Sequence, residues 1–270
     1  MNTKEFANDI RIATCEMLLK RGFGHLGAAL SMVEALAVLY NEILHIDPLD
    51  PLMDDRDWFV LSKGHGGPSY YATLALKGYF DKELLLTLNE NDTSPSHPDR
   101  TKTIGVDATT GSLGQGVSQA VGIAKALKIK GSKRKVYCIV GDGEMNEGQV
   151  YEALVFAVAN NLDNFTVLVD NNKKQLDGLT KDISIQYDFK DFYECVGFST
   201  IDVDGSNIDS IRDGLKLQSS KPKAIILDTI KCQGLPYFEN LFDNHHIRFT
   251  DEQKQILSQE ISRLKEIYNG

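Results

Sequence analysis

The sequence has no apolar run approaching the roughly eighteen residues of a membrane span. Its start, Met1-Asn2-Thr3-Lys4-Glu5, lacks the basic-then-apolar order of a secretory leader. We therefore expect a cytoplasmic protein without a membrane partner. Basic residues are outnumbered, 29 Lys and Arg against 38 Asp and Glu, for a net charge of -9. Nucleic acids and anionic membranes need clustered Lys and Arg, so neither is expected as a partner, although a metal could still recruit a diphosphate. Cysteine is sparse: Cys15, Cys138, Cys195 and Cys232 show no Cys-x-x-Cys spacing, which argues for reduced structural thiols rather than a zinc or redox site. No repeat, low-complexity tract or long linker divides the chain, so residues 1–270 are expected to form one domain, with 42% hydrophobic residues to fill its core.

Against these absences stands one well-marked unit. The apolar, β-branched runs Val136 to Val140 and Phe165 to Val169 end in Gly141-Asp142-Gly143 and Asp170-Asn171-Asn172. Both read as buried parallel strands. Glu147 to Asn160 carries Val150, Leu154, Ala157 and Val158 at helical spacing and reads as the crossover helix between them. Two strands joined by one crossover end at the same sheet edge, where open parallel sheets bind ligands, so Asp142 and Asn172 are expected to lie together. A carboxylate and an amide oxygen suit a hard cation such as Mg²⁺, and Gly141 and Gly143 allow close approach of a phosphate.

The rest alternates strand and helix. Helices are expected over Asn2 to Arg21, from a Ser31-Met32-Val33-Glu34 capping box to Leu44, over Pro68 to Leu76, around Glu83 to Leu88, over Asn207 to Gln218, and from a Thr250 cap to Tyr268. Trp58 to Ser62, Phe198 to Val203 and Ala224 to Thr229 read as further strands. The alternation predicts a doubly wound, mainly parallel α/β sheet with helices on both faces. Gly111-Ser112-Leu113-Gly114-Gln115-Gly116 opens a helix whose free N–H groups could face an anion, but its spacing is neither Gly-x-Gly-x-x-Gly nor a Walker A loop.

His25, His65 and His97 fall on glycine- or proline-flanked loops, and His245-His246 on a polar loop. Imidazoles converging on one crevice could exchange protons with a hydroxylated substrate near neutral pH, and no His-x-x-x-His or Glu-flanked pair suggests zinc.

Gly-Asp-Gly followed about thirty residues later by Asn-Asn resembles the thiamine diphosphate motif. The wider text, Thr109 to Gly116, Gly141-Asp142-Gly143-Glu144-Met145-Asn146-Glu147-Gly148 and Gln175-Leu176-Asp177-Gly178, resembles transketolase. The resemblance runs from Ile10 to His246 with the motifs in family order. It implies that Asp142, Asn172 and the carbonyl of Lys174 hold Mg²⁺ (or Ca²⁺ or Mn²⁺), and that His65, Gly111, Gly141 and Gly143 serve the diphosphate. Leu113 would pack on the thiazolium and Leu176 line the thiamine pocket; by composition alone both would be core residues. Glu147 would join a carboxylate network at a subunit interface. His25, His97 and His245, with His246 as the rival for the last place, would handle the sugar and its protons. The cofactor would carry the covalent chemistry of ketol transfer.

Leu26 in place of proline, Ala28-Ala29 in place of Gly-Gly or Gly-Ala, and Asn244 in place of an aromatic residue depart from the family pattern on the sugar side. A full-length transketolase resembles this chain only in its first domain. The resemblance therefore implies a separate pyrimidine-binding C-terminal subunit, in a heterotetramer with two copies of each chain, acting on sugars or sugar phosphates. A 1-deoxyxylulose-phosphate synthase-like enzyme or a 2-oxoacid dehydrogenase E1 component would share the metal motif, but His25, His65 and His97 suit sugar handling better. A non-catalytic scaffold would predict loss of a ligand or histidine, and all are present.

Overall fold

A computed structural model describes residues 2–267. In chain order the elements are α1 (Thr3–Arg21), β1 (Phe23–Gly24), α2 (Leu26–Leu30), α3 (Val33–Val38), β2 (Trp58–Leu61), α4 (Gly67–Lys77), α5 (Gln115–Ile129), β3 (Val136–Gly141), α6 (Gly148–Ala159) and β4 (Phe165–Asn171). They continue with α7 (Thr180–Ile183), α8 (Phe189–Val196), β5 (Ser199–Asp204), α9 (Ile208–Lys216), β6 (Lys223–Asp228), α10 (Pro236–Glu239), β7 (Ile247–Arg248) and α11 (Asp251–Glu266). Five strands form a parallel sheet in the order β2-β3-β4-β6-β5. The expected fold class holds.

The period of the strands explains why the sheet is covered on both faces. On β3, Tyr137 and Ile139 enter one apolar core with α1, α3, α4, α9 and α11, while Val136, Cys138 and Val140 enter a second core with α5, α6 and α8. β6 divides in the same way, Ile225 and Leu227 to the first core and Ala224 and Ile226 to the second. Successive side chains point to opposite faces, so a continuous apolar run fills two cores at once.

The end signals of α1 and the start of α11 form as expected. Asn2 and Thr250 each close a capping box, with Glu5 and Gln253 returning the bond, and Gly22 ends α1 in the left-handed conformation. Tyr268, the expected end of α11, lies outside the described residues. The helix expected around Glu83 to Leu88 forms as a 3₁₀ segment, Lys82–Thr87, and the short α7, α8 and α10 are not among the expected elements, although α8 has an Asp188 cap and a left-handed Gly197 stop.

Two expectations are corrected. The glycine-flanked loop expected around His25 shrinks to that residue: β1, just before it, pairs antiparallel with β7, and α2 starts at Leu26. The Ser31–Glu34 capping box does not form, and α2, α3 and a π-helical turn at Leu39–Ile43 replace one helix. The cause is tertiary. Ser31 is fully buried and its hydroxyl donates to Asp170 at 2.6 Å, while Glu34 accepts from Arg11 Nη2 and from Gln233 Nε2 at 2.8 Å. Charged, buried partners outcompete a local cap because leaving them unpaired is costly.

Candidate active site

The site begins where β3 and β4 stop. The strands are in register with Gly141 opposite Asp170, so Asp142 and Asn172 emerge side by side at the carboxyl edge. Asp142 accepts from the Gly143 amide at 2.8 Å and from Thr180 Oγ1 at 3.1 Å; Asn172 Oδ1 accepts from the Lys174 amide at 3.2 Å. Burial, and then Asp170 nearby, raise the Asp142 carboxyl to about 6. The Gly143 amide, Lys231 and Lys63 pull the other way but do not cancel the effect of burial.

Above this edge lies a cavity of about 400 Å³. Asp142, Asn172, Lys174, Gly141 and Gly143 form its floor side, with Gly111 and Leu113 from the turn before α5. His25, His65, His97 and His245 also line it, as do Glu147 and Leu176. Every candidate residue named from the sequence except His246, the rival to His245, thus lines one cavity. Leu113 and Leu176 belong to neither core; Leu176 is 60% exposed at the rim. Glu147, expected at the start of α6, is its exposed N-terminal flanking residue.

Five of the six histidines form one cluster, with His25 at its centre. Ring centres lie 5.7 Å from it at His65, 5.6 Å at His97, 5.4 Å at His245 and 4.6 Å at His246. The two-stranded pairing of β1 with β7 makes this possible, because it places His25, just after β1, beside His245-His246, just before β7. Gly27 completes the approach: a Cβ there would run into the Asn244 carbonyl oxygen. Asn244 itself is buried, donating to Phe238 O at 2.9 Å, so it serves the loop that carries His245. His245 faces the cavity, while His246 packs on His25 and on Phe23, 5.8 Å away.

Burial favours the neutral form of the four imidazoles that line the cavity. His25 is lowered to about 4 by burial and then by His246, His97 and Lys231; His245 is lowered to about 3 by burial and then by Lys231. His65 lies well below its usual range through burial and Lys63, and His97 is lowered by burial. They act near neutral pH as hydrogen-bonding bases, not as resident cations.

Several residues of the site have no place in the motifs above. Lys63 forms a buried ion pair with Asp170, which also accepts from Ser31, Thr229 and Asn172 Nδ2. Burial alone would raise the Asp170 carboxyl, but Lys63 and the two hydroxyls hold it below its ordinary value. Glu144 accepts from Ser62 Oγ, from the Gly114 amide at 2.7 Å and from the Gly141 amide at 3.1 Å, tying the α5 turn to β3. With Val117 N–H donating to Ser62 Oγ at 3.1 Å, two amides at the α5 start are held by protein groups, so this turn is less open to an anion than expected. Lys231 Nζ donates to the carbonyls of Lys174 and Gln175 at 2.9 and 3.2 Å and meets His245 Nδ1 at 3.1 Å. An ammonium only donates, so His245 Nδ1 accepts and its ring proton resides on Nε2. The Gly-Asp-Gly-Glu tetrapeptide was the available signal for Glu144; Lys63 and Lys231 had none.

This geometry can be set beside known proteins. The family model described as the transketolase, thiamine diphosphate binding domain matches residues 2–262. The chain belongs to the transketolase family. It is 45% identical over 250 residues to the 6-deoxy-6-sulfo-D-fructose transketolase subunit SqwG of Clostridium sp. (strain MSTE9), covering 91% of each chain. It is 41% identical over 226 residues to an apulose-4-phosphate transketolase subunit from Actinobacillus succinogenes, covering 83% of this chain and 82% of that one. A crystal structure of transketolase from Campylobacter jejuni superimposes with a TM-score of 0.88 at 31% identity over 97% of this chain, which spans 43% of that one. The family model agrees with the expected thiamine diphosphate-binding domain, and the relatives and the solved structure with a transketolase. No helix among the described residues is long and apolar enough to cross a membrane.

Proposed function

We propose that the chain, as one domain over residues 1–270, is the diphosphate-binding subunit of a two-chain transketolase. It would move a two-carbon ketol unit from a ketose, or its phosphate, to an aldose or aldose phosphate. The observation that carries this reading is the convergence of Asp142, Asn172, Lys174 and four histidines on one cavity at the carboxyl edge of the sheet.

The residues present fit the implied groups. Asp142 and Asn172 offer side-chain oxygens, and the Lys174 carbonyl, although it accepts from Lys231, has a second lone pair. Among the described residues no group of three or more His, Cys, Asp or Glu side chains could hold a metal. Such a set is not required of a Mg²⁺, Ca²⁺ or Mn²⁺ site completed by the oxygens of a bound diphosphate. Thiamine diphosphate, when bound, supplies the electron sink that lets a carbon–carbon bond beside a ketone break and re-form. His65, Gly111, Gly141 and Gly143 hold its diphosphate end, while Leu113 and Leu176 give apolar contact to its rings. His245 presents Nε2–H to an oxygen of the sugar as negative charge develops there. His25 and His97, neutral at rest, accept a proton from one hydroxyl and return it to another.

Two relatives are subunits by name, and their names mention a sulfo-sugar and a sugar phosphate. We therefore propose a pyrimidine-binding partner chain, a heterotetramer, an anionic sugar substrate and a cytoplasmic setting. Glu147, exposed at the cavity rim, is the carboxylate offered to that partner. Calorimetry of thiamine diphosphate, with and without Mg²⁺, on the chain alone and with its partner, tests the reading. Metal-dependent binding is expected; metal-independent binding, or none with the partner present, would refute the site. Full-rate ketol transfer by the purified single chain would refute the two-chain assignment.

A further inference from the structure

Gln175 sits beside the cavity floor and is held from both directions. Its amide N–H donates to Gly178 O at 2.8 Å, and its carbonyl accepts from Lys231 Nζ at 3.2 Å. The side-chain amide lies over Gly143: a Cβ on that glycine would come within 3.0 Å of Gln175 Cγ, 3.1 Å of Cδ and 3.4 Å of Oε1, so turning the amide about its last bond brings Nε2 to the same place. Its Nε2 is buried with no hydrogen-bond partner, although the residue lines the cavity. An amide donor left without a partner away from bulk water is costly, so a native chain that keeps one beside a ligand cavity has a use for it.

Gly143 is where the proposed reading places the cofactor diphosphate, and this inference rests on that reading. We propose that Gln175 is a diphosphate-positioning residue whose Nε2–H₂ donates to a phosphate oxygen seated over Gly143. Three features support the assignment. The donor has no protein partner, and its residue lines the cavity. The clamped backbone orders the side chain before binding, which limits the entropic cost of making the bond. A neutral donor also adds directionality to a site whose other polar contacts include the ammonium of Lys231, a point charge. Tyr71 Oη and the other unpartnered buried atoms do not line this cavity, so the orphan at Gln175 is set apart by its position.

The test compares the wild-type chain with Gln175→Met, which keeps length and loses the donor, and Gln175→Glu, which puts a carboxylate in the same place. Calorimetry in Mg²⁺ would use thiamine diphosphate and, separately, inorganic pyrophosphate. A hydrogen bond to a charged group predicts about a tenfold to hundredfold rise in Kd for both ligands with Gln175→Met, and a larger rise with Gln175→Glu. Without ligand, the Gln175→Met melting temperature should be unchanged or higher, because an unsatisfied donor has been removed. Binding of either ligand within about twofold of wild type would overturn the proposal, as would a lower melting temperature with unchanged binding, which would make Gln175 merely structural. The same measurements are made with the partner chain present; if wild type then binds neither ligand, the proposed function fails first and this inference fails with it.

Discussion

Replacing Lys63 by methionine should expose how much of the site's rigidity depends on one buried charge pair. Lys63 and Asp170 have side-chain exposures of 1% and 0%, so neither can turn to water when its partner is lost. Removing one member of a buried pair costs about 3–5 kcal/mol, mainly as the penalty of the stranded charge. Asp170 would retain Ser31 Oγ at 2.6 Å, Asn172 Nδ2 at 3.0 Å and the Thr229 hydroxyl, and three neutral donors place the expected loss near the lower bound, about 3 kcal/mol. An unfolding entropy of about 2.1 cal/mol/K per residue converts this into a fall of about 5 °C in melting temperature. Urea denaturation of Lys63→Met, Asp170→Asn and the double variant measures it. The double variant should recover to within about 1 kcal/mol of wild type, since it removes both charges together. A loss below about 1 kcal/mol for Lys63→Met, or a double variant less stable than either single one, would refute the reasoning.

Other outcomes follow from the same geometry. The folded pKa of His25 is depressed, from 6.5 to about 4, so its contribution to stability is fully present above about 6.5 and is lost as pH falls through about 4. After allowance for the open cavity, wild type should lose about 1–2 kcal/mol more than His25→Gln between pH 7 and pH 4.5 in urea titrations, and equal losses would count against burial as the cause. Glu144→Gln leaves one acceptor oxygen for three converging donors and should cost about 2–3 kcal/mol, with faster hydrogen exchange at the Gly114 amide as the local sign. Gly27→Ala drives a methyl against the Asn244 carbonyl and to 2.8 Å from Lys231 Cγ, so about 1–3 kcal/mol of overpacking should appear together with weakened thiamine diphosphate binding. Normal binding in that variant would show that the loop carrying His245 can shift freely.

The central unit was legible because its chemistry is local. A strand that must be buried on both faces is apolar throughout, and the polar, glycine-flanked turn that ends it is marked in the same short stretch. β3, α6 and β4 therefore emerged with boundaries within a residue or two, together with Asp142 and Asn172. The histidines were legible as residues but not as a cluster, because only the β1–β7 pairing, which joins residues more than 200 apart, brings His245 to His25. The Ser31–Glu34 motif has all the marks of a cap, and failed because Asp170, 139 residues away from Ser31, and Arg11 offered stronger partners.

The sequence by itself determined which atoms reach the carboxyl edge of the sheet, since strand period and crossover topology act over short stretches of chain. Tertiary structure alone decided how those atoms are charged and held: Lys63 finds Asp170 across 107 residues, and Glu144 finds Ser62 across 82. Burial, which no single stretch of sequence specifies, sets the protonation of the histidines around them.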